Sequence, residues 1–160
     1  MKDDIRIRQA VHEDAASLAI LSMQLGYITS KEEIMERLPK VQKMEEHVVY
    51  VAVSQDETIL GWIHVLISHR LVSESFAELG GLVVAEGYRR QGIGEILLHK
   101  AEEWAVGKGL GIFRIRARSS REGAHRFYVK MGYQLWKEQK IFEKQLHNKK
   151  RSNPISPNMD

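Results

Sequence analysis

Arg89, Gly92 and Gly94 stand in the order Arg-x-x-Gly-x-Gly, between an apolar run and an amphipathic one. Glycines at a helix start let the backbone come close to a ligand. The first turn of a helix leaves its N–H groups without internal partners, and phosphate is the ligand they suit. Arg89 and Arg90 would add charge-assisted hydrogen bonds. Two nucleotide patterns fail here. The dinucleotide fingerprint needs a third glycine at position 97, which is Leu97. The string Gly-x-x-x-x-Gly-Lys-Ser/Thr does not occur. A second block lies downstream, where Ala124, Phe127, Tyr128, Gly132 and Tyr133 fall within one helical pattern and its end.

The elements around these residues follow from periodicity. Ile5–Arg8 alternates as a short strand, and Glu13 opens a helical pattern that Gly26 closes. Ser30 and Glu33 have capping-box spacing, and Pro39 argues against a long continuation of the helix they start. Val48–Val53 is the apolar run of a strand buried on both faces; a polar turn then joins it to a strand at Ile59–Ile67. Phe76–Val84 is the next strand, and Gly80-Gly81 inside it implies a bulge or a close backbone approach. A helix runs from Gly92 to Gly107, and Phe113–Ala117 alternates as a strand. Ser119 and Glu122 have capping-box spacing ahead of the helix that Gly132 ends. Tyr133–Trp136 and Ile141–Leu146 read as two last strands. The order is β-α-α-β-β-β-α-β-α-β-β. One domain is expected over residues 1–146, followed by a polar tail over 147–160 that is expected to be disordered.

Composition narrows the class. The chain has 160 residues, 43% hydrophobic and 28% charged, which fits a single globular domain. No apolar run approaches the roughly 20 residues of a membrane span, so no membrane partner is expected. The charged start, MKDDIRIRQA, is unlike a secretory signal. With no cysteine in the chain, the expected location is the cytoplasm. The absence of cysteine also excludes thiolate metal sites and cysteine nucleophiles. His64 and His69 lack further ligands at a supportive spacing, so no metal is expected. The net charge of +3 partly reflects the basic C-terminal stretch. Arg114, Arg116 and Arg118 line one strand face without interleaved aromatics, so no nucleic acid is expected.

Together the two blocks resemble the GNAT superfamily of acyl-CoA-dependent N-acetyltransferases. The family's pyrophosphate turn, Arg/Gln-x-x-Gly-x-Gly/Ala, is matched by Arg89, Gly92 and Gly94. Its second block, Ala-x-x-Phe/Leu-Tyr-x-x-x-Gly-Phe/Tyr, is matched by Ala124, Phe127, Tyr128, Gly132 and Tyr133. The element order from Ile5 to Leu146 is also similar. The resemblance implies a mixed α/β (α+β) fold, with a mostly antiparallel central sheet flanked by helices and a V-shaped splay between the two central strands. Acetyl-CoA is the implied co-substrate. Leu82, Val83 and Val84 would meet its pantetheine arm through backbone atoms. Arg89, Arg90, Gln91, Gly92, Ile93, Gly94 and Glu95 would wrap its pyrophosphate.

The implied reaction is direct attack by an amine, with an N–H near Val83 stabilising the oxyanion. A lysine-like amine has a pKa of about 10.4 and must lose a proton first. Glu78, directly or through water, is the expected base. Tyr128, matching the family's tyrosine, is the expected acid for the departing thiolate. Many members carry Asn three residues before the alanine of the second block. Here that position is Arg121, so Ser119 or Ser120 is expected to supply the contact. The acceptor is a small-molecule or peptide amine, met by Tyr27, Ile28 and Glu32 after the first helix. A homodimer is a family-level expectation. The alternative reading is a non-catalytic acyl-CoA-binding regulatory module on the same fold.

Overall fold

The computed structural model describes residues 4–119 and 121–147. Strands β1 (Arg6–Gln9), β2 (His47–Val53), β3 (Ile59–Ser68), β4 (Phe76–Val84) and β5 (Phe113–Arg114) form one sheet in the order β1-β2-β3-β4-β5. The first three pairings are antiparallel, while β4 and β5 run parallel. Helices α1 (Ala15–Gln24) and α2 (Lys31–Gln42) connect β1 to β2, α3 (Ile93–Gly107) connects β4 to β5, and α4 (Glu122–Lys130) follows β5.

Both faces of the sheet are covered, as the apolar run of β2 requires. Val48, Tyr50 and Ala52 join a core with Ile63, Val65, Leu97, Leu98 and Ala101, on the α3 side. Val49, Val51 and Val53 point the other way, into a core with Leu18, Leu21 and Leu38 of α1 and α2. Alternate residues of a strand face opposite sides, so a run buried throughout must lie between two layers.

The Ser30 capping box forms: Glu33 N–H donates to Ser30 Oγ at 3.1 Å and Ser30 N–H to Glu33 Oε1 at 3.0 Å. Helix α2 then runs three residues past Pro39. Gln42 Nε2 donates to the Ala10 carbonyl at 2.5 Å, and Leu38 and Val41 pack into the core, so tertiary contacts carry the helix past the proline. At the other end, a 3-10 turn over His12–Asp14 precedes α1. Asp14 is buried there and accepts from both Arg8 and the Val11 N–H.

Three expectations near the C-terminus fail. β5 pairs over two residues rather than five. The N-cap of α4 is Arg121, with no side-chain cap, so Ser119 and Glu122 form no box. Tyr133–Trp136 and Ile141–Leu146 belong to no strand among the described residues. Alternating apolar residues supply strand propensity, but a strand also needs backbone hydrogen bonds to a neighbour. The tail reading falls on residues 148–160 and, apart from His147, lies outside the described residues.

Candidate functional site

The site is organised by what β4 lacks. β5 pairs with it at Ala77 and Glu78 only, so among the described residues no strand lies beside the stretch from Leu79 to Val84 on that side. The Ala85 N–H donates to Leu60 O on β3 at 2.8 Å. Alternation along an antiparallel pair then turns the backbone groups of Val83 toward β3 and those of Leu82 and Val84 toward the open edge. Val83 is also buried, on the α1/α2 side. An N–H facing the open edge therefore belongs to Leu82 or Val84, and Val83 itself offers none.

Gly80 is the extra residue of a bulge, since the β3–β4 register shifts between His64 and Val65. Both glycines here also carry a close approach, as their sequence implied. A Cβ on Gly80 would lie 2.5 Å from His64 Nδ1, and one on Gly81 would lie 2.6 Å from Trp62 Cη2. Trp62 fills that space on the α1/α2 side, and its buried Nε1 has no hydrogen-bond partner.

After Val84 a 3-10 turn over Glu86–Tyr88 leads into α3. Arg90 and Gly92 both take positive φ, at 64° and 84°. Gly92 is the N-cap of α3 and supplies no side-chain cap, so the N–H groups of Ile93, Gly94 and Glu95 open the helix without one. Arg89 Nε donates to Val84 O at 3.2 Å, which ties the turn to the end of β4. Arg90 and Gln91 are exposed and Ile93 is buried. A Cβ on Gly94 would touch Phe127 of α4 at 3.4 Å, so the turn and the second block are in contact.

Tyr128 lies beside that contact, its ring 5.4 Å from Phe127 and 6.3 Å from Tyr133. Burial raises its phenol above the ordinary value; Arg121 draws it partly back and Tyr27 raises it further. It is therefore a protonated donor at neutral pH, and the segment between α1 and α2 lies within its electrostatic reach. Gln24 of α1 accepts from the Glu86 N–H at 2.8 Å, linking that segment to the turn. Ile28 is exposed on that segment and Tyr27 half-buried, while Glu32 is exposed in the first turn of α2.

Glu78 accepts from Arg116 Nε and its side chain is 15% exposed. Ser119 lies in the β5–α4 loop, and Ser120 falls outside the described residues. His125 Nε2 donates to the Arg118 carbonyl at 2.7 Å, holding that loop to α4. The arginine face is occupied. Arg114 stacks between Phe76 and Trp136, at 4.0 and 4.2 Å from their ring centres.

Sequence reasoning missed the pair His47 and His64, whose Nδ1 and Nε2 atoms lie 3.0 Å apart. Burial and the neighbouring His47 push His64 down to about 4. The signal was available in principle, since the two are diagonal neighbours across the β2–β3 hairpin, where His47 faces Leu66 and His64 faces Val49. Among the described residues no group of three His, Cys, Asp or Glu side chains is placed to hold a metal ion, and no helix is long and apolar enough to cross a membrane.

The sequence model of the acetyltransferase (GNAT) family matches residues 17–133. No curated protein sequence matches the chain. Solved structures do. An aminoglycoside 6'-N-acetyltransferase of Acinetobacter baumannii is 17% identical, with 89% of this chain and 99% of that one covered and a TM-score of 0.79. Another 6'-N-acetyltransferase of that type, bound to a bisubstrate analogue of CoA and acetylneamine, is 16% identical over 88% and 98%, with a TM-score of 0.79. A transcriptional regulator of Bacillus halodurans is 21% identical over 88% and 99%, with a TM-score of 0.76. At these identities the likeness is one of fold.

Proposed function

The chain belongs to the acetyltransferase (GNAT) family, and from that premise we propose that it moves an acetyl group from acetyl-CoA to a primary amine by direct attack. The observation that carries the proposal is the continuity of an open β4 edge with an uncapped, glycine-led helix start. A pantetheine arm needs the first and a pyrophosphate needs the second. In this reading the backbone of Leu82 and Val84 pairs with the pantetheine arm. The turn from Arg89 through Arg90, Gln91, Gly92, Ile93 and Gly94 to Glu95 wraps the pyrophosphate. Ser119 adds a contact from the β5–α4 loop.

The amine nitrogen attacks the thioester carbonyl carbon and gives up one proton. Glu78 takes it at Oε2, directly or through water, since Oε1 is held by Arg116. The oxyanion is met by the N–H of Leu82 or Val84. As the tetrahedral intermediate collapses, the carbon–sulfur bond breaks and Tyr128 protonates the leaving thiolate. The burial that raises its phenol keeps that proton in place until the sulfur needs it. Tyr27, Ile28 and Glu32 border the acceptor, a small-molecule or peptide amine. The two structural neighbours named as aminoglycoside acetyltransferases make polyamine-like sugars the first class to try. The reaction requires no metal and is placed in the cytoplasm.

A second reading is favoured by the ion pair on Glu78, which competes with its use as a base. A domain with that carboxylate permanently engaged would bind acyl-CoA and regulate rather than transfer. Release of free thiol from acetyl-CoA across a panel of amines separates the two. Turnover with any amine supports transfer. Binding without thiol release for every amine supports the regulatory module.

A further inference from the structure

Tyr128 is the third residue from the end of α4, and the way that helix ends decides where its ring points. Met131 is the C-cap, and Gly132 follows at φ 96°. The Gly132 N–H donates to Val129 O at 3.0 Å and the Tyr133 N–H to Tyr128 O at 2.9 Å. This left-handed cap satisfies two of the last carbonyls and folds the chain back on the helix. It also brings the side chain after the glycine against the side chain three from the helix end. Here those are Tyr133 and Tyr128, whose rings meet edge to face at 6.3 Å.

Tyr133 is in turn fixed from the other side. Its ring meets Phe113 of β5 edge-on at 6.0 Å, and its hydroxyl donates to Glu102 Oε2 of α3 at 2.6 Å. His99 Nδ1, one turn earlier on α3, donates to the other oxygen, Oε1, at 3.0 Å. Both oxygens of the Glu102 carboxylate are engaged. Burial and that carboxylate raise the Tyr133 phenol well above its ordinary value, so its proton stays in this bond at neutral pH.

The α4 segment is therefore tied to α3 at two points. Phe127 lies against Gly94 in the first turn of α3. Tyr133 reaches Glu102, eight residues further along that helix, a span of roughly 12 Å. Tyr128 stands between the two ties. One tie would leave α4 free to swing about it, and two fix the Tyr128 ring relative to the helix start that receives the pyrophosphate. We propose that Glu102 is a positioning residue for acetyl transfer: through the Tyr133 hydroxyl it holds the Tyr128 phenol where the leaving thiolate forms. Glu102 itself touches no reacting atom. The inference rests on the reading of Tyr128 as the acid.

Steady-state thiol release from the full chain tests it, with circular dichroism to show that each variant is folded. Tyr133→Phe keeps the ring and its packing and removes only the tie to Glu102. It should lower kcat roughly 10-fold, since a misplaced acid loses less than an absent one, and leave KM for acetyl-CoA little changed. Glu102→Ala should do the same. Glu102→Gln, whose amide oxygen still accepts from the Tyr133 hydroxyl, should restore most of the loss. In a Tyr128→Phe chain, adding Tyr133→Phe should cost nothing more, because no acid is left to place. Losses that multiply in that double variant overturn the positioning role. So does a full kcat in Tyr133→Phe where Tyr128→Phe is impaired. An undiminished kcat in Tyr128→Phe alone overturns the acid reading, and this inference with it.

Discussion

Gly92 and Gly94 are two residues apart in one turn, and the structure gives them opposite responses to the same substitution. Gly92 sits at φ 84°, a left-handed conformation that costs an L residue roughly 1–2 kcal/mol. Replacing glycine also removes freedom from the unfolded chain, which offsets about 0.4–1 kcal/mol. Gly92→Ala should therefore lose about 1 kcal/mol. Gly94 lies inside the first turn of α3, and its new Cβ would meet Phe127 at 3.4 Å and Val84 at 3.7 Å, ordinary contact distances. Alanine there gains helix propensity of roughly 0.5–1 kcal/mol. The variants should differ by about 1.5–2 kcal/mol. For a chain of this size each kcal/mol moves Tm by about 2–4 °C, so thermal unfolding should separate them by roughly 3–8 °C, with Gly94→Ala the more stable. Acetyl-CoA affinity should follow the same order, because only Gly92→Ala distorts the amides of the turn. Equal melting temperatures, or a less stable Gly94→Ala, would refute the geometry assigned to this turn.

Three further outcomes are expected. Tyr128→Phe should lower kcat by about 100-fold, the usual scale for loss of a general acid, with KM little changed in an assay of thiol release; an undiminished kcat removes Tyr128 from the chemistry. His64, held near 4 against an ordinary 6.5, stays neutral in the folded chain while the unfolded chain takes up the proton first. Stability is thus full above about pH 6.5 and falls as the pH drops toward 4, by roughly 3 kcal/mol in all; denaturant unfolding of His64→Gln should show a flatter dependence over that window, and an unchanged slope would exclude this origin. At Asp14, burial opposes ionisation, but Arg8 and the Val11 N–H outweigh it and hold the carboxyl below its usual range. Asp14→Ala should therefore cost roughly 3 kcal/mol, much of it from the orphaned Arg8, measurable by the same unfolding; a cost under about 1 kcal/mol contradicts the pairing.

Much of the fold was legible because its signals are local. The Ser30 capping box, the two-faced burial of Val48–Val53 and the bulge at Gly80 each follow from residue types within a few positions. The Arg89–Gly94 turn and the Phe127 block were each legible as motifs, and their contact needed the structure. What escaped depended on distant partners. Helix α2 outlasts Pro39 because Gln42 reaches Ala10, thirty-two residues away. Glu78 and Arg116 are joined only once β4 and β5 are neighbours. The direction of the Val83 N–H is set by the register with β3, which no local pattern encodes. The segments around Trp136 and Phe142 have the composition of strands, and composition does not supply the neighbouring backbone that a strand must bond.

The central claim is that the open edge of β4 and the glycine turn together hold acetyl-CoA. Calorimetric titration of acetyl-CoA into the full chain tests it most directly. The account predicts saturable binding at one site per chain, weakened by Gly92→Ala and retained by Gly94→Ala. Absence of binding at hundreds of micromolar acetyl-CoA, with the chain folded, would contradict it.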